Sequence, residues 1–128
     1  MDKKIFDEVY RMNEKQLQLL EWVGKLKNTD KLIVVEGVKD KRALEKFGIE
    51  DIITLKKAIY KTAEDIAKQE KDCIILTDLD REGKKLYKEL STKLQDLGVK
   101  VDKSFREFLF RKTKLRQIEG LRKYLEKL

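Results

Sequence analysis

The chain contains no histidine, no proline and a single cysteine, Cys73. One thiol cannot form an internal disulfide, and without histidine a structural zinc site is excluded, so any metal would be a hard cation held by oxygen. The commonest general base of enzymes is missing too, which leaves acid–base chemistry to carboxylates, lysines or metal-bound water. Cys73 lies between apolar neighbours, where an inert core residue is expected.

Long apolar runs are missing as well. No stretch of about 18 uncharged apolar residues occurs, so no membrane span is predicted. Residues 1–8 lack the apolar core of a signal peptide, and we expect a soluble, cytoplasmic protein without a membrane partner. The composition is 41% hydrophobic and 43% charged, with the apolar residues in patterned blocks. This predicts one folded domain over residues 1–128 rather than a disordered chain.

Positive charge is concentrated at the C-terminal end of the sequence. The net charge is +7 at pH 7, and residues 103–128 hold nine Lys or Arg against three Glu. A solvated helix face and a surface that binds phosphate backbones account for such a segment equally well. Under the second interpretation the partner is RNA or DNA, and the contacting residues are Arg111, Lys112, Lys114 and Arg116.

The spacing of apolar residues predicts alternating strands and helices. Strands are predicted over 32–35, 52–55, 73–77 and 99–101, with burial on both faces for the first and a buried position for the third. Helices are predicted over 2–27, with a break near Asn13, and over 40–47, 60–70, 83–97 and from about 113 onward.

This order of elements predicts an α/β fold. We expect a four-stranded, mainly parallel sheet with helices on both faces, and a helical extension at each end of the chain. The expected parts are an N-terminal helical extension (1–28), the α/β core (31–102) and a basic C-terminal helical segment (103–128).

Acidic residues follow two of the predicted strands, at the point where each strand ends. Glu36 directly follows the first strand, and Asp78, Asp80 and Glu82 follow the third. The carboxyl ends of parallel strands gather at one edge of a sheet, so we expect these carboxylates to meet there. Carboxylates without a counter-charge repel one another, and Mg²⁺ with its retained waters relieves that repulsion. The sequence therefore predicts a magnesium site at this edge.

A glycine follows each acidic motif. Gly37 and Gly83 would let the backbone approach a ligand closely, and Gly83 opens a predicted helix whose N-terminal amides favour an anion. A purely structural alternative assigns the acids to loop solvation, or to capping of that helix by Asp80 or Glu82. For Glu36 alone we would prefer this alternative, but the two motifs together favour a ligand site.

The two motifs resemble those of the Toprim domain, which topoisomerases, bacterial primases, overcoming-lysogenization-defect nucleases and the nucleases that mature small ribosomal RNA share. That family places a Glu-Gly turn after its first strand and an Asp-x-Asp motif, usually followed by Gly, after its third. The resemblance covers about residues 31–102, and the basic tail is similar to that of a largely archaeal family of small stand-alone Toprim proteins. The matching stretches are Val35-Glu36-Gly37-Val38-Lys39-Asp40 and Asp78-Leu79-Asp80-Arg81-Glu82-Gly83.

The resemblance implies a Rossmann-like Toprim fold and a metal-dependent role on nucleic-acid phosphates. It implies that Glu36 acts as a further metal ligand or as the general acid/base, and that Arg81 stabilises charge on a phosphate. A bound Mg²⁺ or Mn²⁺ would neutralise the phosphate and orient the attacking or leaving oxygen. The implied metal ligands are Asp78, Asp80, Glu82, Glu36 and, for a second metal, Asp40.

Two other families share part of the pattern and are rejected. A calcium-binding EF-hand loop starting at Asp78 needs a preceding helix, whereas an apolar strand precedes it here. A haloacid-dehalogenase phosphatase has its Asp-x-Asp motif on the first strand, and Glu36-Gly37 has no place in it. We also expect neither strand passage nor priming, since no further domain presents a tyrosine nucleophile or handles a template.

Two hypotheses of different class remain. In the first, the chain is a Mg²⁺-dependent, nuclease-like enzyme acting on RNA or DNA phosphodiesters, which the complete acidic set favours. In the second, it is a non-catalytic metal- and nucleic-acid-binding module that acts with a partner protein, which the missing nucleophile and the small surface for substrate favour.

Overall fold

The computed structural model describes residues 12–55 and 58–128. The strands in this part of the chain are β1 (Leu32–Val35), β2 (Ile52–Thr54) and β3 (Cys73–Ile75). Their order in the sheet is β2-β1-β3 and both pairings are parallel. The central strand pairs Val34 with Ile53 on one side and with Ile75 on the other. The prediction of a parallel α/β sheet covered by helices is confirmed.

The helices that follow the first and third strands begin two residues earlier than the sequence predicts, because their N-caps are Gly37 and Asp80. At the predicted break, Asn13 caps the first helix, accepting the Gln16 N–H at 2.9 Å; the helix predicted over residues 2–11 lies outside the described residues. The helices are α1 (Glu14–Lys27), α2 (Val38–Glu45), α3 (Ile59–Ala67), α4 (Arg81–Asp96), α5 (Ser104–Lys112) and α6 (Leu121–Lys127), with a 3₁₀ turn (Ile118–Gly120) before α6.

The predicted fourth strand over 99–101 is wrong in extent. Within the described residues the sheet has three strands, and this segment contributes a single parallel bridge between Val101 and Cys73. The chain leaves the sheet at once, because the Asp102 carboxylate accepts hydrogen bonds from the Ser104 amide (2.9 Å) and hydroxyl (2.6 Å) and so starts α5.

The C-terminal segment also differs from the prediction of a helix from about 113 onward. Residues 104–112 are helical, and the chain becomes extended at Thr113. There the Thr113 hydroxyl donates to the Leu109 carbonyl and accepts the Leu115 amide, which replaces the next helical hydrogen bonds. Helical structure resumes only at Ile118.

The sheet is buried on both faces. Ile33 and Val35 face α1 and the C-terminal helices, whereas Leu32 and Val34 face α3 and α4. Burial raises the pKa of the Cys73 thiol, on the second face, to about 12, which fits the inert core residue predicted. The C-terminal segment closes the first face with four buried side chains: Leu109, Leu115, Ile118 and Leu121.

None of the helices in the described part of the chain has both the length and the apolar character needed to cross a membrane.

Candidate acidic site at the carboxyl edge of the sheet

The carboxyl ends of β1 and β3 bring two acidic residues into contact. These strands are neighbours in the sheet, so the residues that follow them leave the same edge side by side. One oxygen of the Glu36 carboxylate accepts the backbone N–H of Asp78 at 2.9 Å. The Asp78 carboxylate in turn accepts the backbone N–H of Ile118 at 2.9 Å. The site is therefore built from two strand ends and the 3₁₀ turn of the C-terminal segment.

Asp80 lies at the N-terminus of α4 and caps it. Its carboxylate accepts the Gly83 N–H at 2.8 Å, as the structural alternative proposed for this residue. The cap occupies one carboxylate oxygen, so it does not by itself remove Asp80 from ligand binding. Glu82 and Arg81 are exposed in the first turn of the same helix.

Gly83 is required by its own backbone surroundings. A Cβ at this position would lie 1.9 Å from the carbonyl oxygen of Asp78, a distance that no side chain tolerates. The Thr77 hydroxyl also donates to the Gly83 carbonyl at 2.7 Å, which closes the loop between β3 and α4. The close approach observed at Gly83 is to the Asp78 backbone, and the approach to a ligand that the sequence predicts for this glycine stays a prediction.

Gly37 is under no such restriction. A Cβ here would meet only the Asp40 carboxylate, at an ordinary contact distance of 3.9 Å. Asp40 is nearly buried, with 8% of its surface exposed, and its carboxylate accepts the Gly37 N–H at 3.1 Å. Asp40 therefore holds the turn between β1 and α2 while facing the acidic site.

Burial raises the pKa of three carboxyl groups in the site, those of Glu36, Asp40 and Asp78. Neighbouring carboxylates raise each pKa further: Asp78 acts on Glu36 and on Asp40. Glu119, in the 3₁₀ turn, acts on both Asp40 and Asp78. The edge of the sheet thus concentrates negative charge, and ionising its acids is costly.

Glu119 belongs to this site, although no sequence motif points to it. It is one of three Glu among the nine Lys or Arg of residues 103–128, a composition that indicates a positively charged surface. Only the packing of that tail against the sheet brings the carboxylate to the edge.

Arg106 is the cation that the sequence did not single out. From α5 its guanidinium donates to the backbone carbonyl of Asp78 at 2.9 Å and lies 4.6 Å from the ring centre of Tyr87. Burial lowers the pKa of Arg106, while the nearby Tyr87, Glu36 and Asp78 act in the opposite sense. Its buried Nε–H has no acceptor among the described residues. Arg106 thus places a positive charge directly beside the acids.

The four predicted nucleic-acid contacts are spread over α5 and the stretch that follows it. All are exposed, but Arg111 lines a groove with Lys84, whereas Lys112 lines a different groove beside Trp22. Lys114 and Arg116 lie in the extended stretch between α5 and the 3₁₀ turn.

The comparison with known proteins settles the family. A family model for the Toprim domain matches residues 31–109, which include both acidic motifs. The chain belongs to the Toprim family. The match confirms the resemblance seen in the motifs, and it reaches into α5 as far as Arg106 and Leu109.

Small archaeal proteins are among the relatives of this Toprim chain. The UPF0292 protein of Methanocaldococcus jannaschii is 37% identical over 119 residues, which cover 89% of this chain and 92% of that protein. The UPF0292 protein of Pyrococcus abyssi is 41% identical over 88 residues, 68% of this chain and 67% of that protein. A solved structure, a putative protein from Aquifex aeolicus, matches with a TM-score of 0.74 and 35% identity, covering 80% of this chain and 96% of that one.

Toprim domains generally bind Mg²⁺, and the donors at this edge are of the right kind. They are carboxylate oxygens, which Mg²⁺ prefers, and their mutual repulsion is what a cation relieves. Among residues 12–55 and 58–128, however, no group of three or more acidic or thiol side chains is arranged to hold a metal ion. The chemistry of the acids fits a hard cation, and binding one would require these side chains to draw together.

Proposed function

We propose that this Toprim chain is a Mg²⁺-dependent, nuclease-like enzyme that cleaves or transfers phosphodiester bonds of RNA or DNA. The observation that carries the proposal is the contact between the two strand ends, where Glu36 accepts the Asp78 amide at 2.9 Å. Family membership supports the broader statement of a metal-dependent function related to nucleic acids. We place the activity in the cytoplasm, where a chain with one free, buried thiol fits the reducing conditions.

In this proposal Asp78 and Asp80 hold Mg²⁺ or Mn²⁺, with help from Glu82 and with Asp40 serving a second ion. When bound, the ion supplies positive charge that neutralises a phosphate and orients an oxygen. The raised pKa values of Asp40 and Asp78 support this assignment, because uncompensated carboxylates favour the uptake of a cation. Gly83 keeps the Asp78 backbone close to the start of α4.

Glu36 is proposed as a further metal ligand or as the general acid/base. Burial and the charges of Asp78 and Asp80 raise its pKa, which moves the group toward the range where it exchanges a proton with a reacting oxygen near neutral pH. Arg81, exposed at the start of α4, is proposed to stabilise negative charge on the phosphate. Gly37 is proposed to keep the backbone beside Glu36 open to a ligand.

The test is cleavage of labelled structured RNA and single-stranded DNA by the purified protein, with Mg²⁺ or with EDTA. We expect Mg²⁺-dependent products, and a loss of about 100-fold or more in Asp78→Asn and Glu36→Gln. Both changes remove a charge while keeping an oxygen for the observed hydrogen bond. Asp96→Asn, an exposed acid at the far end of α4, is the matched control. Cleavage that survives in both site variants would refute the proposal.

A second candidate is a non-catalytic metal- and nucleic-acid-binding module that acts with a partner protein. The Asp40 and Asp80 carboxylates accept the backbone amides of Gly37 and Gly83, so part of the acidic set stabilises the two turns, and this structural use favours the second candidate. Nucleic-acid binding that persists in EDTA, with no products under any metal condition, would select this candidate.

A further inference from the structure

A groove between α4 and α5 adjoins the acidic site. It has a volume of about 410 Å³ and is open to solvent. Arg106 forms part of its wall and donates to the Asp78 carbonyl at 2.9 Å, so the groove and the site share a side chain. Lys84, on the opposite wall, comes directly after Gly83 in the first turn of α4. A ligand in this groove would thus run directly to the acids.

The charge of the groove is opposite to that of the site. Four cationic side chains line it against one carboxylate, that of Glu107. A polyanion is the ligand that such a lining attracts, since each cation can neutralise a phosphate. The cations are Lys84, Lys103, Arg106 and Arg111.

The groove also presents an aromatic face. Phe110 is 46% exposed, and the Lys84 ammonium lies 4.8 Å from the centre of its ring. Deeper in the groove, the Arg106 guanidinium covers the ring of Tyr87. Cations interleaved with aromatic rings are what proteins use to hold an unpaired strand: the cations follow the phosphates, and the bases stack on the rings.

We infer that this groove binds an unpaired stretch of a nucleic-acid strand, with a base stacked on Phe110 and phosphates on Lys84, Lys103 and Arg111, and leads it to the acidic site. The inference rests on the proposed function for its purpose, but binding in the groove needs neither metal nor cleavage. A base stacked between its neighbours inside a duplex has no free face for Phe110, so the groove selects single strands. RNA and DNA share the chemistry involved.

The test is fluorescence anisotropy of labelled single-stranded RNA, single-stranded DNA and a blunt duplex, in EDTA. We expect single strands to bind more tightly than the duplex. Phe110→Ala should weaken single-strand binding about 10-fold, and Phe110→Trp should restore it, because stacking needs only an aromatic face. Each of Lys84→Gln, Lys103→Gln and Arg111→Gln should reduce the slope of log affinity against log salt by about 0.7.

Matched controls lie on the other side of α4. Tyr60 is an aromatic residue of greater exposure, 55%, and shares a separate groove with Lys93. Tyr60→Ala and Lys93→Gln should leave the affinity and the salt slope unchanged. Circular dichroism of each variant distinguishes a lost contact from lost folding, and Phe110→Trp provides the second check on Phe110.

Three results would overturn the inference: no single-strand binding in EDTA, wild-type affinity in Phe110→Ala, or equal loss in the Tyr60→Ala control. A Phe110→Ala change that converts a dimer to a monomer in light scattering, with single-strand affinity unchanged, would assign the groove to a second copy of the chain instead. Binding through Phe110 without cleavage would leave the groove established and the proposed enzyme refuted. Cleavage that is unchanged in Phe110→Ala, with unchanged single-strand affinity, would support the proposed enzyme and refute the groove.

Discussion

Gly83 shows at the scale of one residue how the acidic motif shapes its own loop. Only glycine fits at this position, because any Cβ would lie 1.9 Å from the Asp78 carbonyl oxygen. The glycine after the Asp-x-Asp-x-Glu motif predicts that the backbone approaches a ligand closely there. The sequence could not show that the backbone at Gly83 also lies against the chain's own Asp78 carbonyl, since that depends on how the loop folds back over β3.

We predict that Gly83→Ala destabilises the protein by about 2 kcal/mol or more, because the loop must shift to make room. The matched control is Gly24→Ala in α1, where a Cβ would meet nothing within 4 Å. That change should stabilise by about 0.5–1 kcal/mol, through the better helix propensity of alanine. Urea denaturation of both variants measures the difference. Equal effects of the two changes would contradict the role given to Gly83.

The acidic site should also set part of the pH dependence of stability. Burial, and then neighbouring charges, raise the folded pKa of Asp78 above its ordinary value of 3.8. A carboxyl group with a raised folded pKa contributes stability that is fully present below its unfolded pKa and is lost as the pH rises through its folded pKa.

We therefore predict that Asp78→Asn, without metal, is at least as stable as the wild type at pH 7. Its free energy of unfolding should also fall less steeply as the pH rises from about 4. Urea titrations at a series of pH values measure this, with Asp96→Asn as the exposed control. An Asp78→Asn variant whose unfolding free energy varies with pH as in the wild type, and which is less stable at pH 7, would show that ionising Asp78 does not destabilise the folded protein.

Arg106 and Glu119 belong to the site but could not be predicted from the sequence, unlike Glu36 and Asp78. Glu36 and Asp78 could be predicted because each directly follows an apolar strand, and neighbouring parallel strands end at one edge. Arg106 and Glu119 reach the same edge only through the packing of α5 and the 3₁₀ turn on the sheet. Neither has a local signal that separates it from the other charged residues of the C-terminal segment.

At the scale of elements, Asp102 links the sheet to the C-terminal helices. Its carboxylate accepts the Lys31 ammonium at 2.7 Å and the amide and hydroxyl of Ser104. Burial works against ionisation, but these hydrogen bonds together lower the pKa of Asp102. The predicted fourth strand over 99–101 ends after one bridge because the Asp102 carboxylate binds Ser104, where α5 begins, and so turns the chain away from the sheet.

We predict that Asp102→Ala costs about 1–2 kcal/mol of stability, since it removes three hydrogen bonds at a half-buried position. A carboxyl group with a lowered folded pKa stabilises above its unfolded pKa, and that contribution is lost as the pH falls through the folded pKa. The difference between wild type and Asp102→Ala should therefore shrink below about pH 4. Thermal unfolding at pH 7 and pH 3 tests this, and a constant difference would contradict it.

For the whole molecule, the basic C-terminal segment has two roles on opposite sides. Its apolar side chains close one face of the sheet, whereas its cations other than Arg106 are exposed to solvent. The sequence predicted the charge and the α/β core, because both are readable from composition and from β-branched runs. It predicted a helical segment over 103–128 but not α5 as a separate helix, since Phe105 and Phe108 of α5 pack against Trp22 in the distant α1.

We predict that Ile118→Ala and Leu121→Ala each destabilise the protein by about 2–5 kcal/mol, as for fully buried aliphatic side chains elsewhere. Leu97→Ala, at an exposed leucine after α4, is the control and should cost little. Chemical denaturation measures all three. A loss of stability below about 0.5 kcal/mol for both buried residues would mean that the C-terminal segment does not contribute to the stability of the core.

The central claim is that Glu36, Asp78 and Asp80 together take up a divalent cation. The most direct measurement is titration of the purified protein with Mn²⁺ at pH 7, followed by the electron paramagnetic resonance signal of the free ion. We expect saturable uptake of Mn²⁺ and its displacement by Mg²⁺. Uptake should weaken about 10-fold or more in Glu36→Gln and Asp78→Asn, and stay unchanged in Asp96→Asn. No uptake by the wild type at millimolar Mn²⁺, or equal uptake by all variants, would contradict it.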